Sequence, residues 1–408
     1  MHQSSKFKIK IDFDKSRGAY IYDKNRKEYF LDFFGPYSIS PLGYNHKIFK
    51  TATFKKEMLR VATTKVANCE TISDEAADFL NVFTKLSGAE KFKHFHFCCT
   101  GALAIEAAIK TAIDAKPTDR PIVISLRHSF HGINSYGGTV TDRWTLANSR
   151  LTGMPRFDWP VIHNPKIIYR DNKIDFIATK KGIARFKKEF TACIKKFKSK
   201  NIVALLIEPV QSTAGDNYFP LEFFRLARQL CSRYNICLIF DEVQTGFGAS
   251  GKMWYFQHTG IIPDIVAFGK KSQMSGIMVN KKFGRIFQAP VRLEVTWDGD
   301  LVDMLRCRYI MTAYKKFSLL ENAKRRGEEL LEGMKKVNGV LNSRGIGVLI
   351  CFDFATKQGR DSFAKRAFEL GLLFNATGTN SIRLRPPLTI TSADVKKALN
   401  IIRHSTKP

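Results

Sequence analysis

The sequence predicts an α/β protein, with a mainly parallel central sheet followed by a smaller α+β domain. Three observations carry this prediction. Short, continuously apolar runs recur through the middle of the chain, as expected of strands covered on both faces. Stretches of helical length with amphipathic spacing separate them, which is the β-α-β-α order of right-handed crossovers. Near Asp300 the character changes to one long helical stretch followed by shorter strand-like runs.

The elements follow in order. Gly18–Phe34 reads as an antiparallel hairpin that joins the smaller domain. Strands are expected at Phe95–Cys98, Pro121–Ser125, Ile202–Ile207, Ile236–Asp241, Asp264–Phe268 and Gly276–Val279. Helices are expected at Ala102–Ala115, Lys180–Phe197 and Pro220–Tyr234, the second with a face of Ala184, Phe186, Phe190 and Ile194. Leu301 to Lys336 reads as one long helix, with strands near Gly347–Phe354 and Ser381–Arg385. A last helix, Ser392–Ile402, is expected to start at Ser392 ahead of Asp394. The expected division is an N-terminal segment 1–48 attached to the small domain, a large domain 49–300 and a small domain 301–408.

Composition bounds the function. With 44% hydrophobic and 12% aromatic residues among 408, a large core is expected and intrinsic disorder is excluded. Sixty-six Lys and Arg face 37 Asp and Glu, a net charge of +29. Such a balance raises the question of nucleic acid. No arginine-rich stripe, aromatic platform or recognised binding module stands out, so the sequence gives nucleic acid little support as a partner. Met1 to Lys10 is polar and basic, without the apolar region of a secretory signal. No run reaches the roughly 18 apolar residues of a membrane span, so no membrane partner is expected. Cys69, Cys98, Cys99, Cys193, Cys231, Cys237, Cys307 and Cys351 form no C-x-x-C pair, and several sit in apolar runs. They read as free thiols in a reducing cytoplasm, with no metal site.

The strongest chemical signal is Leu238-Ile239-Phe240-Asp241-Glu242-Val243-Gln244-Thr245-Gly246, where an apolar strand delivers carboxylates at its carboxyl end. Ligand sites of α/β sheets form there. Downstream, the apolar strand Asp264–Phe268 leads through Gly269 to Lys270 and Lys271. An acid at one strand end and an amine at another suit a Schiff-base cofactor: the amine condenses with an aldehyde, and the acid holds a ring nitrogen protonated.

With these residues in view, the sequence resembles the class III pyridoxal-phosphate aminotransferases of fold type I, from about Gly35 to Pro387. The segment Phe97-Cys98-Cys99-Thr100-Gly101-Ala102 is similar to that family's phosphate-binding turn. Ser129-Phe130-His131-Gly132 resembles its ring-stacking motif, Glu208-Pro209-Val210-Gln211 its Glu-Pro strand end, and Ser381-Ile382-Arg383-Leu384-Arg385-Pro386-Pro387 its substrate-arginine segment. Within the family the likeness is greatest to lysine 6-aminotransferases, through Ala267-Phe268-Gly269-Lys270-Lys271-Ser272-Gln273, Phe157-Asp158-Trp159-Pro160, and Arg292-Leu293 with Thr296-Trp297.

The resemblance implies pyridoxal 5′-phosphate as cofactor and a homodimer with shared active sites. It implies Lys270 as the Schiff-base lysine and Asp241 as partner of the ring nitrogen, with Lys271 and Glu242 structural. Gly101 and Ala102 would meet the phosphate through backbone N–H groups, joined by Thr296 of the neighbouring subunit. Phe130 would stack on the ring, His131 would line it or pack beside it, Gln244 would donate to its phenolic oxygen, and Glu208 would complete the pocket. Arg383 would grip a substrate carboxylate in preference to Arg385, although spacing alone does not choose between them.

Three positions depart from the lysine enzymes. Ile133 stands where they have an arginine after Phe-His-Gly, Thr213 where they have a glutamate that gates the carboxylate arginine, and Glu294 where they have an asparagine. The segment Gly35–Ser40, Tyr37 included, differs in character and is expected to line the same pocket. The expectation is therefore an aminotransferase with an intact catalytic half that moves an amino group from a primary, terminal amine, lysine or a relative of it, to a 2-oxo acid such as 2-oxoglutarate, the donor or acceptor not being simply lysine. The alternatives are a pyridoxal-phosphate enzyme of another reaction type, or an aminotransferase for an anionic nucleotide, sugar or DNA-linked substrate.

Overall fold

The computed structural model of the protein describes residues 8–67, 71–143, 153–170 and 172–406. Cys69 and the first seven residues of the basic N-terminus lie outside the described residues.

The central sheet has seven strands. In spatial order they are His94–Cys98, Ser275–Val279, Ile265–Phe268, Cys237–Asp241, Ile202–Ile207, Ile122–Leu126 and Val161–Ile162. Ser275–Val279 runs antiparallel to both its neighbours; the pairings from Ile265–Phe268 to Val161–Ile162 are parallel. Every residue of Ile202–Ile207 and of Cys237–Asp241 is buried. That explains why these strands read as unbroken apolar runs rather than alternating ones. Helices Gly101–Ala115, Phe176–Phe197 and Leu221–Arg233 flank the sheet.

A second sheet orders Leu341–Ile346, Leu349–Asp353, Ser381–Leu384 and Asn375–Thr377. A third orders Ile11–Arg17, Tyr20–Asp23, Glu28–Asp32 and Leu372–Leu373. The expected hairpin is thus the inner part of a three-stranded meander. Its last strand pairs in parallel with Leu372–Leu373, which ties the start of the chain to its C-terminal part.

Four local expectations change. The long helix is two helices, Leu301–Lys316 and Leu319–Lys335, because Ser318 takes a left-handed backbone at φ 49°. The last helix is capped by Thr391 rather than Ser392: Asp394 N donates to Thr391 Oγ1, and Thr391 N donates to the Asp394 carboxylate. The basic helix begins a turn earlier, at Phe176, because Asp175 accepts from Ala178 N. Its buried face is Thr179, Phe186, Phe190, Cys193 and Phe197, whereas Ala184 is exposed. Six described cysteines are buried, Cys99 is exposed, and all seven are free thiols. Among the described residues no helix is long and apolar enough to cross a membrane.

Candidate active site

Three adjacent parallel strands bring the chemistry together. Asp241 lies opposite Ala267, and Phe240 lies opposite Ile207. Asp241, Glu208 (one residue beyond Ile207) and Lys270 (two beyond Phe268) therefore emerge along one edge of the sheet. The edge opens into a cavity of about 1740 Å³. Tyr37, Gly101, Ala102, Phe130, His131, Ile133, Glu208, Thr213, Asp241, Gln244, Lys270 and Arg383 all line it.

Lys270 follows a close approach of two strands. A Cβ at Gly269 would stand 2.6 Å from Ser275 Oγ, so a side chain there would force that hydroxyl to move. Lys270 itself adopts φ 56°, a left-handed backbone costly for a side-chain-bearing residue. Its Nζ donates to Tyr37 O at 3.4 Å. Burial, with Arg383 next in effect, pulls its ammonium down from 10.5 to about 8. About a tenth of it is then a neutral nucleophile at pH 7, and half near pH 8. Lys271 is placed differently. It is buried, its Nζ donates to the carbonyl and the hydroxyl of Ser38, and burial with Arg385 nearby holds its ammonium well below the usual range.

Asp241 Oδ2 lies 2.8 Å from His131 Nδ1, and its Oδ1 accepts from Val243 N at 3.1 Å. His131 is buried and bridges the cavity wall to this carboxylate. Glu208 accepts from Phe130 N at 2.7 Å. Burial, then Asp241, pushes its carboxyl well above the usual range. Glu242 faces away from the cavity and accepts from Tyr255 N at 2.6 Å and Phe256 N at 2.8 Å, a fastening within the fold.

The two arginines separate just as plainly. Arg385 Nη2 donates to both oxygens of Asp216 at 2.7 Å, so its fork is spent inside the protein. Burial opposes that charge, but Asp216 outweighs it and raises the guanidinium above its ordinary value. Arg383 donates from Nη1 to Ser212 O at 2.7 Å and has no carboxylate at hydrogen-bond distance among the described residues; the buried Nε of each arginine lacks a partner there. Burial, then the charge of Arg385, lowers it to about 10. A buried guanidinium without a carboxylate is costly, and an incoming carboxylate would relieve that cost.

The residues present fit pyridoxal phosphate. The helix Gly101–Ala115 points its N-terminus, with the free amides of its first turn, into the cavity. A Cβ at Gly101 would meet Val243 at 2.8 Å, so the turn after Asp241 and the helix start are packed as closely as glycine permits. Gln244 Oε1 and Thr213 Oγ1 are buried without hydrogen-bond partners among the described residues, as befits groups that await one.

Thr296 and Glu294 do not line this cavity in their own chain. Both are exposed, and Glu294 accepts from Arg292 N and Leu293 N. The cavity also holds charges that no sequence motif announced: Arg143 and Arg306 among the cations and Asp303 among the anions. None sits in a recognisable pattern; only the fold assembles them.

A doubly covered, mainly parallel sheet with an amine, a carboxylate and a helix N-terminus at its carboxyl edge defines a fold-type-I transferase site. The chain belongs to the class-III aminotransferase family, whose model matches residues 1–405. It is 32% identical over 417 residues to the L-lysine-epsilon aminotransferase of Mycobacterium tuberculosis, covering 97% of this chain and 91% of that protein. It is 30% identical over 422 residues to the L-lysine-epsilon aminotransferase of Amycolatopsis lactamdurans, covering 98% and 92%. The solved lysine aminotransferase of M. tuberculosis superposes with a TM-score of 0.93 at 31% identity, covering 99% of this chain and 96% of that one. The protein is thus an enzyme, an aminotransferase.

Proposed function

We propose that this enzyme transfers an amino group from a primary, terminal amine, lysine or a relative of it, to a 2-oxo acid, 2-oxoglutarate above all, with pyridoxal phosphate held in the cavity. The observation that carries the reading is the presence of Lys270 and Arg383 in one cavity, the first a softened amine and the second a guanidinium with unspent donors.

Pyridoxal phosphate, when bound, supplies an aldehyde for amines and a ring that takes up the electron pair left by proton removal. This chain's residues do the rest. Gly101 and Ala102 would hold the phosphate through backbone amides. Phe130, held through its N–H by Glu208, would pack against the ring. Asp241, oriented by His131, would keep the ring nitrogen protonated, and Gln244 would donate to the ring oxygen. Lys270 would hold the cofactor through Nζ and move a proton at that atom. Arg383 takes the carboxylate of the 2-oxo acid.

The enzyme acts as a homodimer in the cytoplasm, with Thr296 reaching the phosphate of the neighbouring subunit. Residues 49–300 form the cofactor-binding domain and 301–408 the smaller domain, which residues 1–48 join. The exposure of Thr296 and Trp297 and the pairing of Glu28–Asp32 with Leu372–Leu373 support these readings.

The test is spectroscopic. Cofactor-loaded protein is mixed with terminal amines, lysine and ornithine first, and the visible absorbance is followed. Bleaching by an amine and recovery on adding 2-oxoglutarate are expected. Bleaching by no amine, with racemisation or decarboxylation detected instead, would overturn the reading in favour of another reaction type.

A further inference from the structure

The pocket segment Gly35–Ser40 is folded against the turn that carries the two lysines. Its base is set by Asp32, whose Oδ1 accepts from Phe34 N at 3.0 Å and from Gly35 N at 2.8 Å. The backbone then takes left-handed angles at Gly35, Tyr37 and Ser38, with φ 56°, 61° and 74°. Two residues with side chains in that region are costly, so contacts from outside the segment must hold them.

Three consecutive carbonyls supply those contacts. Tyr37 O accepts from Lys270 Nζ at 3.4 Å, Ser38 O from Lys271 Nζ at 3.2 Å, and Ile39 O from Gln273 Nε2 at 3.2 Å. Lys271 also donates to Ser38 Oγ. The turn is shaped to present these donors. Gln273 N closes it on Lys270 O at 2.8 Å, with φ 56° at Lys270 and 55° at Gln273. Gln273 is itself aimed by Arg306, whose Nε donates to Gln273 Oε1 at 2.8 Å. A buried lysine is destabilising unless its donors are used, and Lys271 gives its own to Ser38 and to no other described residue. Tyr37 and Ile39 both line the cavity, so this clasp fixes part of its wall.

The three rungs are not equivalent. Lys271 and Gln273 keep theirs whatever happens in the cavity, whereas Lys270 Nζ leaves Tyr37 O to join the cofactor. We propose that Tyr37 O is the holding point of the Lys270 amine whenever that amine is not bonded to the cofactor, and that Lys271 and Gln273 are positioning residues that keep the carbonyl in place. The released amine then stays oriented at the cavity wall, ready to move a proton and to return. The segment that carries Tyr37 and Ile39 is held by three rungs when Lys270 is free and by two when it is bonded. The proposal rests on the reading of Lys270 as the amine that joins pyridoxal phosphate.

Hydrogen exchange reads the segment directly. Ser38 N and Ile39 N bond to Phe34 O and Gly35 O, and they exchange when the segment opens. The protein is loaded either with pyridoxal phosphate, whose aldehyde takes up Lys270, or with pyridoxamine phosphate, which fills the same cavity and leaves Lys270 free. In the wild type these two amides should exchange about 5- to 10-fold more slowly with pyridoxamine phosphate, the worth of one hydrogen bond. Lys270→Ala with pyridoxamine phosphate should exchange as fast as the wild type with pyridoxal phosphate. Lys271→Met should speed exchange in both forms and largely remove the difference between them; a merely structural lysine would speed both equally and leave their ratio unchanged. Gln273→Met, a milder change at a half-buried position, should reduce the ratio in part. Equal exchange of the two wild-type forms, exchange in Lys270→Ala as slow as in the wild type with pyridoxamine phosphate, or a ratio that survives intact in both Lys271→Met and Gln273→Met would overturn the proposal. Failure of the underlying reading shows separately, as a visible absorbance with pyridoxal phosphate that persists in Lys270→Ala.

Discussion

His131 Nδ1 lies 2.8 Å from Asp241 Oδ2, with both side chains buried, so the carboxylate at the end of Cys237–Asp241 is aimed by a histidine from the loop after Ile122–Leu126. The histidine thus acts through the acid. Replacing it with Phe keeps the volume and removes the hydrogen bond. The expected result is a fall in kcat of about 10- to 100-fold, the worth of a hydrogen bond to a charged group. Cofactor retention should change little and melting by only a few degrees. Asp241→Asn should cost more, because it removes the charge itself. Loss of cofactor in the His131 variant with unaltered kcat in the loaded fraction would show that His131 merely packs.

Lys270 and Lys271 are neighbours with opposite fates. Lys270→Ala should abolish the visible absorbance that follows cofactor addition, because Lys270 is the amine at the sheet edge beside Asp241 and Glu208. Lys271→Met leaves Ser38 without its donor inside the protein. Stability should drop by about 1–3 kcal/mol, read by urea titration, with the visible absorbance intact. A chromophore in Lys270→Ala that disappears in Lys271→Met would exchange the two assignments.

The legibility of this pair in the sequence has a physical cause. Strands buried on both faces must be unbroken apolar runs, so Cys237–Asp241 and Ile265–Phe268 and the polar residues at their ends could be read without a structure. The Ser318 break could not, since the helical stretch runs through it with neither Gly nor Pro at the break. Thr391 and Ser392 are equally good cap residues; only the reach of Asp394, three positions past Thr391, decides between them. Strands of two residues, Val161–Ile162 and Leu372–Leu373, carry no period at all. Arg143 reaches the cavity through five hydrogen bonds between two loop segments, a relationship with no local signature.

Arg383 and Arg385 should fail in different ways. Arg385→Met leaves Asp216 as a buried, unpaired charge and should destabilise the fold by about 3–5 kcal/mol. Arg383→Met removes a cation that is itself lowered by its surroundings. Its melting should match or exceed that of the wild type, while kcat/KM for the 2-oxo acid falls about 100-fold. Differential scanning calorimetry and acceptor kinetics on the two variants check this. A destabilised Arg383→Met with normal acceptor kinetics would reverse the roles.

The softened amine of Lys270 predicts a pH profile. Only the neutral amine attacks an aldehyde, and Lys270 is half neutral near pH 8. The rate at which cofactor-free protein gains visible absorbance should therefore rise about tenfold per pH unit below pH 8 and flatten above it. The sign of each neighbour follows. Arg383 disfavours the ammonium, so Arg383→Met should move the inflection up, towards the ordinary lysine range. Asp241 favours the ammonium, so Asp241→Asn should move it down. Stopped-flow absorbance across pH 6–10 reads all three, and an inflection that ignores both substitutions would place the titration on another group.

Thr296 provides the test of a shared site. It is exposed in its own chain and outside its own cavity, so a contribution to catalysis must be made across a subunit boundary. Thr296→Val alone should weaken cofactor binding about tenfold through loss of one hydrogen bond to a phosphate. Lys270→Ala alone should be inactive. When the two inactive or weakened proteins are unfolded together and refolded as a mixture, a hybrid dimer carries one cavity with Lys270 from one chain and Thr296 from the other. That cavity is wild type, so activity at limiting cofactor should exceed the sum of the separately refolded variants. The opposite geometry, with Thr296 serving its own chain, puts Thr296→Val beside every functional Lys270, and mixing then restores nothing. The mixture thus distinguishes a site built by two chains from a site built by one, whatever the amine donor proves to be.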